Sequence, residues 1–428
     1  MHLSLVIYLC NSLMNTTPQA PRFLERVNTL AHRYPRQFWL MFFGMLISTI
    51  GTSMIWPFMM IYVSGKLGLP LSQIGILLTI QSAVSMISSF TTGPIVDRLG
   101  RKWVMILGLL SHGGSYLLLS RAETFPAFAG LMALTGAITP LYRIAGDAMM
   151  ADLVPPEKRV DAYALLRMSN NLGIAVGPAI GGVIAATSYT LAFYAAAIGL
   201  STYSLLLFFF AVETMPTRTQ TPLAESAAPI RQEPFGGYAE ILRHRSFIRF
   251  VAVFSMVQVC ATLIWVLLGV YAKENYGIPE NQFGLIPTTN AVMVVTLQIA
   301  VTSLTKRYRL LPMMAVGAFF YATANASIAL SSHFWMFWLS MVIMTIGELI
   351  LVPNSSTYVA NLAPPEKRGR YMSLYGLTWG VASGLGPVIG GLLNDWFSPQ
   401  AIWIGGAMVG YISVALFLWM EKKSKQAE

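Results

Sequence analysis

Glu348 stands alone in an apolar run, Thr345-Ile346-Gly347-Glu348-Leu349, with no basic residue within a helical turn. A single carboxyl in a low-dielectric setting has two uses. It loads and releases a proton, or it stays protonated and donates a hydrogen bond to a neighbouring helix. Pro353, five residues on, loosens the helix there. Arg143 and Asp147 are four residues apart in another apolar run. A helix puts them on one face, where they form a structural ion pair or share in a proton-linked step. A third group is the string Gly93-Pro94-Ile95-Val96-Asp97-Arg98-Leu99-Gly100-Arg101-Lys102. It sets one carboxylate among cations, with Gly100 for a tight turn and Gly93 for close helix packing. All of this is proton and ion-pair chemistry. The chain has no GxxxxGK[ST] phosphate loop, zinc spacing or nucleophile elbow, its histidines are scattered, and Cys10 and Cys260 make no disulfide framework. Neither an enzyme nor a cofactor site is expected.

The elements holding these residues must be membrane helices. Apolar residues make up 55% of the 428 and charged residues 11%, against about 25% charged in a soluble domain. A span needs roughly 20 apolar residues. Twelve runs serve: 38–63, 71–96, 103–121, 124–151, 161–187, 189–212, 247–272, 281–304, 310–331, 334–360, 371–395 and 399–420. Between the sixth and seventh, Pro216, Pro222, Pro229 and Pro234 lie among charges and small residues, the composition of a linker. The expected layout is a tail 1–37, a six-helix bundle 38–212, a linker 213–246, a second bundle 247–421 and a tail 422–428. The first 13 residues are apolar but lack a basic n-region and a clear cleavage site, so a signal peptide is not expected; Met14 is an alternative start.

The 28 Lys and Arg residues are placed unevenly. Lys66, Arg121 and Lys273 fall in one set of alternate loops, and Arg143 and Arg167 within spans, Arg167 close enough to the end of span 5 to snorkel. The other 23 collect in the opposite loops, the linker and the ends. This asymmetry predicts a multi-pass protein of the cell membrane with both termini cytoplasmic, and it explains the net charge of +10 without nucleic acid. Trp39, Trp103, Trp335, Trp338, Trp396 and Trp419 sit near span ends as interface anchors.

The stretch from Ala151 to Gly182 recurs 209 residues later, from Ala360 to Gly391. Pro155-Pro156-Glu157-Lys158-Arg159 returns as Pro364-Pro365-Glu366-Lys367-Arg368, and Gly177-Pro178…Gly181-Gly182 returns as Gly386-Pro387…Gly390-Gly391. Such a duplication implies two similar half-proteins, the architecture of a carrier that rocks one half against the other. The glycines allow close helix contact and the prolines bend the helix. The acidic loop is not duplicated: the shift takes Gly93 to Thr302 and Asp97 to Lys306.

With the DRxGRK string between spans 2 and 3 of twelve, the chain from 38 to 421 resembles the major facilitator superfamily, whose signature loop GxxxDRxGRR/K fills that slot. The resemblance implies an all-α fold of two pseudo-symmetric six-helix bundles around a central cavity. It also implies that Gly93, Asp97, Arg98, Gly100, Arg101 and Asp152 form a cytoplasmic gate. Asp97 would face the N-terminus of span 11, and Arg101 would pair with Asp152. The plainer reading gives these charges only a role in topology. Gly173-x-x-x-Gly177-Pro178-x-x-Gly181-Gly182 matches the gxxxGPxxGG motif of the drug:proton antiporter branch, and Gly386 and Pro387 carry a related string. The family's span-4 motif lxxxRxxqG is matched only in part. Arg143 is followed by Gly146 three residues on, not four, and the usual Gln is absent.

Trp56, Tyr142, Gln258, Trp265 and Asn354 are the cavity candidates, with Gln81 and Gln298 weaker ones. The 24 methionines suit a surface that re-packs around varied ligands, although packing explains any single one. The expected function is proton-coupled export of amphipathic, drug-like molecules by a monomer in the lipid bilayer, with Glu348, Asp147 and Arg143 in proton coupling. The alternatives are a carrier of one sugar, organic anion or peptide, and a receptor that keeps the fold without transporting.

Overall fold

Prolines and glycines divide the apolar runs into helices, and a computed structural model describes residues 33–215, 238–364 and 367–426. The spans are α1 Arg36–Leu67, α2 Leu71–Leu99, α3 Arg101–Leu119, α4 Phe125–Leu153, α5 Arg159–Thr187 and α6 Tyr189–Phe210. The second six are α7 Arg245–Tyr276, α8 Glu280–Thr305, α9 Leu310–Ala329, α10 Phe334–Leu362, α11 Arg368–Trp396 and α12 Ala401–Lys425. No strand occurs among the described residues. Eleven of these helices are long and apolar enough to cross a membrane by length and composition alone. The exception is α3, where Arg101, Lys102, His112, Gly113 and Gly114 dilute the apolar run. It fills the place of span 3 and packs between α4 and α6, so twelve long helices are present among the described residues.

The chain ends α1 at Gly68 and α7 at Gly277, both left-handed with φ of 59° and 65°. They are 209 residues apart and each precedes a proline, at Pro70 and Pro279. A left-handed cap favours glycine, which has no Cβ to clash. Trp56–Phe58 is a 3-10 turn within α1, at Pro57. The tail expected at 422–428 is helical as far as Lys425. Residues 1–32 of the expected N-terminal tail, and 216–237 of the expected linker, lie outside the described residues.

Helix packing repeats along with the sequence. In the first half α1 packs on α5 and α6, α2 on α4, and α3 on α4 and α6. In the second half α7 packs on α11 and α12, α8 on α10, and α9 on α10 and α12. Lipid is as apolar as leucine, so these contacts rest on close approach of small residues. Gly173, Gly177 and Gly181 lie against Thr49, Ser53 and Met54 of α1; Gly386 and Gly390 lie against Thr262 and Leu263 of α7. Phe90, Phe209, Phe210 and Ile299 are at least 69% exposed around the outside, a surface suited to hydrocarbon.

The end of the bundle bearing the Asp97–Lys102 loop is here called the basic face. Gly100 turns the chain there at φ 91°, and a Cβ on it would meet the Glu213 carboxylate. That carboxylate accepts the backbone N–H of Arg101 and Lys102 at 2.9 and 3.1 Å, capping α3 at its positive end. Glu213→Gln is expected to lower stability by about 0.5–2 kcal/mol, read as a lower Tm of purified protein. An unchanged Tm would show that these N–H groups do not depend on the charge. In the second half, Lys367 donates to Glu240 of the short helix Tyr238–Arg243 and holds that carboxyl below its ordinary range.

Candidate functional site

Among the described residues, the polar and aromatic contacts between the halves all lie at the face opposite the basic one. At the α2–α11 crossing, Gly75 meets the Pro387 carbonyl and Gly391 meets the Ser72 backbone. Thr79 Oγ1 donates to the Gly384 carbonyl at 2.5 Å. The first N–H groups of α2, on Leu71 and Ser72, donate to the Asp395 carboxylate at 3.2 and 2.9 Å, a capping bond made across the halves. The α5–α8 crossing is its counterpart: Gly284 meets the Pro178 carbonyl and Gly182 the Glu280 carbonyl. Tyr189 Oη donates to Glu280 Oε1 at 2.5 Å, and Lys273 also pairs with Glu280. At α1 and α7, Ser64 donates to Glu274, and the rings of Trp56 and Trp265 lie 5.8 Å apart. The 209-residue shift carries Gly75 to Gly284, Pro178 to Pro387, Gly182 to Gly391 and Trp56 to Trp265. One contact pattern is therefore made twice about a pseudo-twofold axis. Both α5 and α11 run unbroken through their prolines.

At the basic face no hydrogen bond or ion pair joins the halves among the described residues. Between that face and the seal is a cavity of about 1000 Å³. Trp56 and Trp265 lie toward its sealed end, with Trp56 48% exposed to it. Tyr142, stacked on His112 at 5.8 Å, and Gln258 also line it. Met41, Met45 and Met105 add soft apolar wall. Glu348 enters from α10, accepting from Asn290 Nδ2 at 2.8 Å; Asn290 also donates to Thr345 Oγ1 at 3.0 Å. From the first half come Arg143 and Asp147 of α4 and Arg167 of α5. Under the 209-residue shift, Glu348 corresponds to Thr139, Arg143 to Val352 and Arg167 to Gly376. The walls differ in charge although their backbones repeat.

Several expectations need correction. Arg143 and Asp147 share the cavity face, yet among the described residues no ion pair joins them. The cavity is large enough for the two side chains to lie apart. Arg167 does not snorkel to the basic face; it lines the cavity, because the stripe Tyr163, Arg167, Asn170, Asn171, Ile174 and Pro178 faces inward. Asn354 does not line the cavity. It is 5% exposed and its Nδ2 donates to Ile350 O of its own helix at 2.6 Å. Gln81 lines the cavity and Gln298, bonded to Leu349 O, does not. At the gate, Arg101 Nε donates to Asp152 at 3.1 Å, and Asp97 lies 3.5 Å from Arg101 with its side chain 72% exposed. Among the described residues Asp97 makes no hydrogen bond or ion pair with α11. A Cβ on Gly93 would meet nothing within 4 Å, and Arg98 is exposed.

His112, Asn170, Asn171 and Asn290 also line the cavity, although no motif marks them. Their signal was present: polar side chains recurring at helical spacing on one face of an apolar span. His112 is 5% exposed and its Nδ1 has no partner among the described residues. The seal carboxylates Asp395 and Glu280 are likewise unmarked, because at span ends they read as ordinary loop charges.

The family model described as Major Facilitator Superfamily matches residues 41–263 and 256–428. An uncharacterized MFS-type transporter, YttB of Bacillus subtilis (strain 168), is 27% identical over 92% of this chain and 97% of its own. A Na(+), Li(+), K(+)/H(+) antiporter of Planococcus maritimus is 25% identical over 86% of this chain and 91% of its own. The multidrug resistance protein MdtH of Cronobacter sakazakii (strain ATCC BAA-894) is 24% identical over 91% and 95%. Among solved structures, a POT family transporter in complex with 5-aminolevulinic acid matches with a TM-score of 0.76 at 16% identity, over 91% of this chain and 96% of that one. At such identity the likeness concerns the fold.

Proposed function

This chain belongs to the Major Facilitator Superfamily, and from that premise we propose that it exports amphipathic, drug-like molecules in exchange for protons by alternating access. It is a multi-pass membrane transporter, not an enzyme. The observation that carries the proposal is one cavity between two repeated halves, sealed at one face and free of inter-half bonds at the other. The basic face is the cytoplasmic one on the distribution of Lys and Arg, with both termini on that side in the cell membrane, so the molecule is drawn open to the cytoplasm. The aromatic and methionine walls suit ligands of varied shape. The relatives named for multidrug resistance and for cation/proton antiport support export and proton coupling, respectively.

The coupling step rests on Glu348, on the wall facing Arg143 and Arg167. Without its proton, Glu348 attracts the opposite wall and favours narrowing of the cytoplasmic opening; with the proton, that attraction is lost. Over a distance on the order of 10 Å the difference is roughly 0.4–1.7 kcal/mol for an effective dielectric of about 80 to 20, enough to bias two states without locking either. Asp97 then finds the N-terminus of α11 as the opening closes, while Arg101 and Asp152 hold the loop in place.

A vesicle assay tests the proposal. Inverted vesicles with an imposed pH gradient should take up an amphipathic dye, and adding that dye to substrate-free vesicles should release protons. Binding without proton-linked uptake would favour a receptor instead. The polar groups on both walls favour a second reading, a carrier for one polar metabolite; uptake confined to one such compound would establish it.

A further inference from the structure

Arg143 and Arg167 face the same cavity, and among the described residues neither guanidinium makes an ion pair or hydrogen bond. Arginine stays charged at any physiological pH, so these are permanent cations in a site walled largely by apolar side chains. Their levels can be fixed from one bond. Tyr163 Oη of α5 donates to the Asp147 carbonyl of α4 at 3.2 Å. Because α4 runs toward the basic face and α5 away from it, four residues back along α4 and four onward along α5 both lead about 6 Å deeper. Arg143 and Arg167 stand at those two positions. They stand at a similar depth on two cavity-lining helices of the same half.

Nearby counter-charge is complete only while Glu348 is ionised. Asp147 is one turn nearer the opening on the face of Arg143, and its carboxylate accepts no hydrogen bond among the described residues. Glu348 lies on the opposite wall and is held by Asn290. The first-half wall therefore carries two cations against one carboxylate. The other half has Val352 and Gly376 at the equivalent positions, so an anion would find its pair of arginines on one side only.

The aromatic end of the cavity is deeper. Ser169 Oγ donates to the Phe42 carbonyl at 2.7 Å, which places Arg167 near the level of Phe42. Trp56 is 14 residues farther along α1, about 20 Å at helical rise, less the reach of the side chains. Trp56 and Trp265 meet at an interplanar angle of 50°, leaving open ring faces rather than a closed stack.

We infer that the cavity takes an elongated amphiphile whose carboxylate lies between Arg143 and Arg167 and whose aromatic end lies against Trp56 and Trp265. This rests on the drug-like export reading and narrows it to anionic compounds. Arginine holds a carboxylate by paired, charge-assisted hydrogen bonds that a neutral amide makes only weakly. The tryptophans come from opposite halves, so one ligand touches both.

The test uses the full chain in lipid nanodiscs and two fluorescent probes, dansyl-aminohexanoate and its primary carboxamide. The acid is expected to bind about tenfold more tightly than the amide. Arg143→Gln and Arg167→Gln should each weaken the acid about tenfold while leaving the amide nearly unchanged. Arg167→Lys, which keeps the charge, should retain most of the preference. Trp265→Ala should weaken both probes. Elution as a single symmetric peak shows that each variant is folded. Amide binding as tight as acid binding, or equal losses of both probes in the arginine variants, overturns the anion site and leaves the export reading standing. If neither probe binds, this inference falls, while the export reading stands or falls by the vesicle assay.

Discussion

Vesicles carrying Glu348→Gln are expected to lose proton movement driven by substrate while still binding substrate. Glutamine has nearly the size of glutamate and its carbonyl keeps the bond from Asn290 Nδ2, which is 2.8 Å long in the native chain. What disappears is the ability to gain and lose a proton. Coupling between two ligands commonly amounts to roughly 5–150-fold in affinity, so the ratio of substrate affinities at high and low pH should fall toward one. The rival role, a permanently protonated acid that only donates a hydrogen bond, predicts little change, because the amide N–H₂ of glutamine donates as well. Proton release at the wild-type rate from this variant would take Glu348 out of the mechanism.

The second large effect is expected from Gly391→Leu. A Cβ alone at this position would strike the Ser72 backbone, so a leucine has nowhere to go while α11 lies on α2. Overpacking costs about 1–3 kcal/mol, which corresponds to roughly a 5- to 150-fold shift toward conformations in which those helices separate. The readout is a cysteine at Thr49, a cavity position, in a background lacking Cys10 and Cys260. A membrane-impermeant maleimide applied at the sealed face should label it at least several-fold faster in the leucine variant. Gly182→Leu, wedged against the Glu280 carbonyl, should act alike. Folded variants labelling at the native rate would show that the seal does not depend on these contacts.

The architecture was legible because duplication leaves a literal record: the shift of 209 residues predicts two halves, and the helices repeat their packing under it. The same shift relates Trp56 to Trp265. Arg101 with Asp152 was legible through a family pattern. The failures share one physical origin. A sequence states which residue lies in a span, not how far the halves stand apart or which way a side chain turns. Among the described residues Asp97 makes no bond with α11, because the bonds between the halves are made at the other face. Arg167 was read by distance from a helix end, whereas the inward stripe it shares with Asn170 and Ile174 decides its position. Asn354 satisfied its amide on its own helix, a choice that composition does not reveal. The low hydropathy of α3 reflects His112 and its glycines, which neighbouring helices cover.

The two crossings of Gly75 on Pro387 and Gly284 on Pro178 are copies of each other about a single axis. A rocking of one half on the other about an axis in the membrane plane, along their interface, would stretch both seams together. Opening on that side would then be one concerted event rather than two.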